Sequence, residues 1–258
     1  MGSILAIVNQ KGGVGKTTTS VNLAAFLATQ QQKVLLIDID PQGNATTGFG
    51  IDKKDQQNTI YDVLINSIAI ENATRDSGRM GLTICPANID LAGAEVELVN
   101  LPQREHRLKN ALKDIKNQYD FVLLDCPPSL GLLTLNALTA SDGVIVPIQG
   151  EFYALEGLTQ LMETISLVKR GLNPHLSIFG VVITMFDSRT QLSHQVAHDV
   201  RRYFGERVFR TIIPRNVRLS EAPSYGKSIL EYDPRSKGAE SYDALAKEVI
   251  RRAKGLWQ

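Results

Sequence analysis

Cysteine is nearly absent from this chain. Its 258 residues hold two, Cys85 and Cys126, each inside an apolar stretch (LTICPA and FVLLDC). No disulfide framework is expected, and such usage suits a reducing compartment. Long apolar runs are missing as well: nothing approaches the roughly 18 apolar residues that span a bilayer. The opening residues, MGSILAIV, have neither the basic start nor the extended apolar centre of a secretory leader. Net charge is only +1, so the total announces no partner of either sign. There is no internal repeat, low-complexity tract or linker-like stretch, which makes a soluble, intracellular, single-domain protein the expectation.

Short β-branched runs recur along the chain: ILAIV (4–8), VLLIDID (34–40), LTICPA (82–87), FVLLD (121–125), GVIVPI (143–148), IFGVVITMF (178–186) and VFRTII (208–213). They are continuously apolar rather than alternating, as strands buried on both faces of a parallel sheet are. Helical spacing links Leu23, Phe26 and Leu27, then Leu158, Leu161, Met162, Ile165 and Val168, and finally Tyr242 through Ala253. Strand alternating with helix points to an α/β fold with a doubly wound, mostly parallel sheet. DPQGNATTGFG (40–50) is the most loop-like stretch and directly follows a strand, so it reads as a ligand-responsive loop.

Chemistry concentrates at three strand ends, where open parallel sheets bind ligands. The first strand runs into NQKGGVGKTTTS (9–20) and then a helix starting near Lys16. The phosphate-loop pattern is G-x-x-x-x-G-K-[ST]; Gly15-Lys16-Thr17 satisfies its second half, but Gln10 stands at the first glycine and Lys11 is added. Glycines 12, 13 and 15 allow close backbone approach, so that successive N–H groups from Lys11 through Gly12, Gly13, Val14, Gly15, Lys16, Thr17 and Thr18 can surround phosphate oxygens. Lys16 is placed to reach the β- and γ-phosphates, and the Thr17 hydroxyl to hold Mg²⁺. VLLIDIDP ends on Asp38 and Asp40, and FVLLDCPP on Asp125. A strand-end aspartate of this kind commonly holds Mg²⁺ through water. Glycine turns and helix-capping aspartates are common singly. All three features in order on one α/β chain point to a nucleoside triphosphate with Mg²⁺, with Thr17, Asp40 and Asp125 as the metal-side groups. Lys16 already supplies the phosphate lysine, so a second one, Lys11, can point outward to phosphates in a facing subunit; the plainer alternative is a solvated loop lysine. A cation supplied across an interface can accelerate phosphoryl transfer by about 10³–10⁵.

KGGVGKTT with its early lysine, DIDPQGNAT, LLDCPPSLG and IPRNVRLSEAPS together resemble the ParA/Soj family of DNA-partitioning ATPases. These belong to the deviant-Walker P-loop group that includes MinD and the nitrogenase iron protein. The resemblance runs over nearly the whole chain and is to the short type without an N-terminal helix-turn-helix domain. It implies an ATP-dependent sandwich homodimer in which Lys11 contacts the partner's phosphates and Gly12 lies at the dimer contact. It implies that Asp40 orients or activates the attacking water and that Asp125 is the Mg²⁺-side aspartate. Pro214 and Asn216 match adenine-contacting positions, and Met185 is expected near the base. Implied partners are sequence-independent duplex DNA and a ParB-type centromere-binding protein, with a cytoplasmic, nucleoid-associated location.

Charge distribution supports DNA separately. Between Arg189 and Lys227 stand eight basic residues (Arg189, Arg201, Arg202, Arg207, Arg210, Arg215, Arg218 and Lys227) against three acidic ones. A local excess of cations on a near-neutral chain is an electrostatic footprint for a phosphate backbone. The resemblance singles out Arg189 and Arg218; Arg201, Arg202 and Lys227 are further candidates. The plainer alternative is a solvated helix around 191–204, with Asp199 and Glu206 pairing to neighbouring arginines.

Two rivals remain at this stage. A MinD-like membrane ATPase would use the amphipathic segment SYDALAKEVIRRAKGLWQ, with Arg251, Arg252, Lys254 and Trp257 on a bilayer surface. If that stripe docks on the core instead, too little remains for firm membrane binding. An iron–sulfur protein would need Cys85 and Cys126 as ligands, yet they lack ligand spacing. The histidines (His106, His175, His194 and His198) suggest no metal site and read as surface or DNA-side residues.

Overall fold

Apolar runs become central strands here because both sheet faces are covered by helices. On β1 (Ser3–Ile7), Ile4 and Ala6 enter one core, while Leu5 and Ile7 enter the other. Leu35 and Ile37 oppose Val34 and Leu36 on β2 (Val34–Asp38), and Val122 and Leu124 oppose Phe121 and Leu123 on β5 (Phe121–Asp125). Every residue of β2 and β5 is buried, which is why their sequences show no alternation.

A computed structural model describes residues 2–54, 57–150 and 156–255. Its other strands are β3 (Arg75–Arg79), β4 (Leu82–Cys85), β6 (Gly143–Gln149), β7 (Ser177–Phe186) and β8 (Val208–Pro214). The sheet order is β3-β4-β2-β5-β1-β6-β7-β8. All neighbours are parallel except β3, which runs antiparallel to β4. The helices among the described residues are α1 (Lys16–Thr29), α2 (Asn44–Gly48), α3 (Ile60–Ile65), α4 (Leu91–Glu97), α5 (Arg107–Leu112), α6 (Leu132–Ala140), α7 (Glu156–Gly171), α8 (Gln191–Phe204), α9 (Val217–Glu221), α10 (Ile229–Tyr232) and α11 (Lys237–Ala253). Apolar residues of α1 and α11 share one core; those of α3 to α8 fill the other.

Two elements depart from the sequence reading. Strand β3, RDSGR, carries no apolar signal. It is a polar edge strand held by backbone pairing to β4, by Ser77 Oγ donating to Leu82 O at 2.7 Å, and by the Arg79–Glu231 pair at 2.8 Å. Inside the loop-like 40–50 stretch, α2 forms and buries Ala45 and Thr46. Its anchor is Asp38: Thr46 N and Thr46 Oγ1 both donate to Asp38 Oδ2 at 2.8 Å. Thr46 Oγ1 in turn accepts from Ala87 N at 3.0 Å. Asp38 is therefore a structural carboxylate, the helix-holding role open to any strand-end aspartate.

Thr46→Val should destabilise the nucleotide-free protein by about 2–4 kcal/mol in urea unfolding. It removes one donor from a buried carboxylate and leaves the Ala87 amide without an acceptor. A change below about 0.5 kcal/mol would show that water replaces both bonds.

Candidate active site

The phosphate loop is shaped by its glycines and pinned by three buried side chains. Gly13 and Gly15 take φ of 75° and 86°, values that a side chain would strain. Asn9 accepts from Lys11 N at 3.0 Å through Oδ1 and donates from Nδ2 to Pro147 O at 2.7 Å, tying the loop to β6. Thr184, at the end of β7, donates from Oγ1 to Val14 O at 2.8 Å. The Thr19 hydroxyl, one turn into α1, lies 3.2 Å from the buried Tyr242 hydroxyl of α11. No sequence spacing marks these contacts of Asn9, Thr184 and Tyr242, because their partners lie 138, 170 and 223 positions away.

Beyond the strand ends lies a cavity of about 620 Å³, lined by Gly12, Gly13, Gly15, Lys16, Thr17, Thr18, Asp40, Met185, Pro214 and Asn216 among others. The loop, the β2 end and the β7–β8 segments are thus brought to one place. Val14 is buried away from it, so only its backbone is placed to serve a ligand. Lys11 is outside the lining; its carbonyl accepts from Lys16 Nζ at 3.2 Å. Met185 holds φ 49°, uncommon for a residue with a side chain, and its Cε packs beside Gly15.

Electrostatics at the cavity floor are unbalanced. Burial pushes the Lys16 ammonium below its ordinary range, while Asp125 and Asp40 pull it back up. Asp40 is buried, accepts from Gln42 N at 2.9 Å through Oδ1, and faces the cavity. Asp125 accepts from Ser20 Oγ at 2.8 Å through Oδ1, but its fully buried Oδ2 has no hydrogen-bond partner among the described residues. Burial and the neighbouring Asp38 raise the Asp125 carboxyl to about 8, against the Ser20 and Thr17 hydroxyls. An orphaned carboxylate oxygen beside Thr17 is what a cation site leaves when described without its ion. Among the described residues no three His, Cys, Asp or Glu side chains form a metal cage. That suits Mg²⁺, which keeps waters and phosphate oxygens and takes one or two protein ligands.

Other expected groups lie further out. Arg189 follows the end of β7 and Arg218 lies on α9, both exposed and both at the cavity end of the sheet. The two segments are joined by Arg215 N donating to Phe186 O at 3.0 Å. Arg201 and Arg202 are exposed in the last turn of α8, which returns toward the start of β8. At about 1.5 Å per residue, that helix carries them roughly 20 Å from Arg189, where cations also suit a helix C-terminus. Arg201 and Arg202 thus stand at the opposite end of α8 from Arg189. Lys227 is exposed between α9 and α10. His194 packs edge-on against Phe186, and its Nε2 lies 3.0 Å from Ser188 O.

The features behind the rival readings are mostly used internally. On α11, Tyr242, Leu245, Ala246 and Val249 are buried in the core, and Glu248 accepts from Arg210 N and Thr211 N at 2.7 and 3.0 Å along β8. Arg252 stacks 4.2 Å over the Phe209 ring and donates to Arg207 O at 2.9 Å. Trp257 lies outside the described residues. No helix among them is long and apolar enough to cross a membrane. Cys85 and Cys126 are both fully buried, and burial raises both thiols.

Comparison with known proteins bears on the same elements. A family model described as an AAA domain matches residues 2–178. The sporulation initiation inhibitor protein Soj of Bacillus subtilis is 58% identical over 249 residues, covering 96% of this chain and 98% of that protein. The chain belongs to the Soj/ParA family. The chromosome partitioning protein ParA of Myxococcus xanthus is 55% identical, covering 98% of this chain and 89% of its own. Among solved structures, a protein titled cobyrinic acid a,c-diamide synthase from Mycobacterium smegmatis, with bound ADP and magnesium, superposes with a TM-score of 0.87 at 40% identity, over 100% of this chain and 97% of that one. The cell division ATPase MinD of Pyrococcus furiosus has a TM-score of 0.79 at 28% identity, over 97% and 99%. The Soj/ParA fold is thus shared with MinD.

Proposed function

We propose that this chain is a chromosome- or plasmid-partitioning ATPase that closes into a homodimer on ATP and in that form holds duplex DNA without reading its sequence. It is an ATP hydrolase of the P-loop class, with Mg²⁺ as cofactor. The observation that carries the reading is the convergence of Lys16, Thr17 and Asp40 on one cavity, with the half-satisfied Asp125 buried behind Thr17 and Gly12 exposed at the cavity rim. Thr17 and Asp125 are the residues that would hold Mg²⁺, which when bound neutralises charge on the β- and γ-phosphates.

The chain's own groups divide the remaining work. The backbone N–H groups of residues 12–17 and the α1 N-terminus cradle phosphate oxygens. Lys16 neutralises them from a buried position, where one charge counts for more than in water. The Asp40 carboxylate accepts a hydrogen bond from the attacking water and aims it. Pro214, Asn216 and Met185 bound the end of the cavity suited to the base. Lys11, supplied from a facing copy, adds a cation at the transferred phosphoryl group. Dimerisation doubles the basic surface presented to a duplex and raises affinity through effective concentration. Hydrolysis, stimulated by a ParB-type partner, returns the monomer and releases the DNA.

The test is duplex binding. ATP should tighten binding to random-sequence duplex at fixed salt, and affinity should fall steeply as salt rises. Lys16→Ala should remove the ATP effect. Equal binding with and without ATP in the wild type would overturn the reading.

A further inference from the structure

Arg189 and Arg218, on which the proposed DNA contact rests, are each already engaged. Arg189 Nε and Nη2 donate to Oδ1 and Oδ2 of Asp187 at 2.8 and 2.7 Å, fork to fork. The arginine side chain is 85% exposed, whereas the carboxylate is 19% exposed, so a shielded acid tethers a solvent-facing cation. Arg218 Nη1 donates to Glu221 Oε2 at 2.9 Å, and its Nε lies 3.6 Å from Asp233 Oδ2. The Tyr232 hydroxyl donates to the same Glu221 oxygen at 3.0 Å, holding that carboxylate in place. These hydrogen bonds keep the Asp187 and Glu221 carboxyls below their usual range, so both acids stay charged.

The engagement is selective. Of the eight basic residues from Arg189 to Lys227, these two alone among the described residues have a carboxylate within 4.0 Å. Apart from Glu221, the acids of this stretch, Asp199 and Glu206, make no ion pair with either arginine. Asp199, for instance, accepts from Gln195 Nε2 at 3.2 Å. A carboxylate on a guanidinium fork takes the same two donors in the same plane that a backbone phosphate would take. Phosphate and carboxylate therefore compete for the Nε/Nη2 fork of Arg189, and for the single Nη1 donor that Glu221 takes on Arg218.

We propose that Asp187 and Glu221, the latter aided by Asp233, are built-in competitors that occupy the DNA-phosphate positions of Arg189 and Arg218 and keep the hold on a duplex weak enough to be reversible. The proposal rests on the DNA-binding reading above. Its consequence is opposite to that of an ordinary surface ion pair: removing the acid strengthens function. Asn at position 187 keeps the Oδ1 acceptor used by Arg189 N at 3.0 Å, so the turn survives while the charged fork is lost. Exposed pairs bias an equilibrium by up to about fivefold, which multiplies to about twentyfold over the two copies in a dimer.

The experiment is fluorescence anisotropy on a random-sequence duplex with ATP at fixed salt. The proteins compared are wild type, Asp187→Asn, Glu221→Gln, Arg189→Ala, the double variant Asp187→Asn/Arg189→Ala, and Asp199→Asn as a charge-matched control. Asp187→Asn and Glu221→Gln should each bind about five- to twentyfold more tightly, and Asp199→Asn no more than about twofold, from charge alone. In the Arg189→Ala background, Asp187→Asn should gain no more than that control, since nothing remains to unmask. A gain at position 187 no larger than at 199, or one that persists without Arg189, overturns this inference while leaving the DNA reading standing. A wild type that ignores the duplex overturns both.

Discussion

Asp40→Ala is expected to freeze the protein as an ATP-loaded dimer on DNA, with hydrolysis slowed by about 10²–10⁴, the usual contribution of a positioned acid–base group. The expectation comes from where this carboxylate stands. It is the one acid that lines the cavity beside Lys16 and Thr17 among the described residues, whereas Asp38 is spent on α2 and Asp125 is buried outside the lining. Removing it leaves the phosphate cradle untouched, so binding and closure should survive while the attacking water loses its guide. Asp40 also accepts from Gln42 N. Asp40→Asn keeps that turn and should give the same trapped dimer, which separates lost chemistry from lost structure. Sedimentation velocity with ATP, with and without duplex, together with single-turnover phosphate release, checks both. An Asp40→Ala protein that stays monomeric in ATP, or turns over like wild type, would remove Asp40 from the hydrolytic role.

Gly12→Val should fold and bind nucleotide as a monomer, yet fail to dimerise and lose ATP-dependent DNA binding. Among the described residues nothing requires a glycine at this position. Its φ is not positive, it is exposed, and an added Cβ would meet no atom of the described residues within 4 Å. Stability should therefore stay within about 0.5 kcal/mol of wild type. Gly13 and Gly15, at φ 75° and 86°, could not be replaced so freely. If the space above Gly12 is filled by a facing copy, each added side chain overpacks that contact by about 1–3 kcal/mol, doubled by two-fold symmetry. That is a loss of roughly 30-fold to 10⁴-fold in dimer affinity. Equilibrium sedimentation with a slowly hydrolysed ATP analogue measures it; normal dimerisation would show that Gly12 faces solvent in both states.

Much of the site was open to reading from residue order, since its parts are local. Glycines, a lysine and a hydroxyl within a few positions specify a phosphate cradle wherever a strand feeds a helix, and Asp40 and Asp125 announce themselves by following apolar runs. What holds the cradle still was not readable. Asn9 to Pro147, Thr184 to Val14 and Thr19 to Tyr242 are side-chain bonds between segments remote in the chain, and no spacing rule marks either end. The polar strand β3 escaped for a related reason: an edge strand needs backbone partners, not an apolar face.

Composition and order alone settled that the chain would form a parallel sheet covered on both faces, with a phosphate loop after its first strand. Apolar periodicity and glycine placement act over a few residues and survive in any tertiary setting. Only the folded chain decided that Asp38 is spent on α2 while Asp40 lines the cavity, that Arg189 and Arg201 stand at opposite ends of α8, and that, among the described residues, Arg189 and Arg218 alone of the basic stretch meet carboxylates. Those outcomes turn on distances of a few ångströms between remote segments. Charge interactions at that range depend on burial and geometry, which a count of residues does not contain.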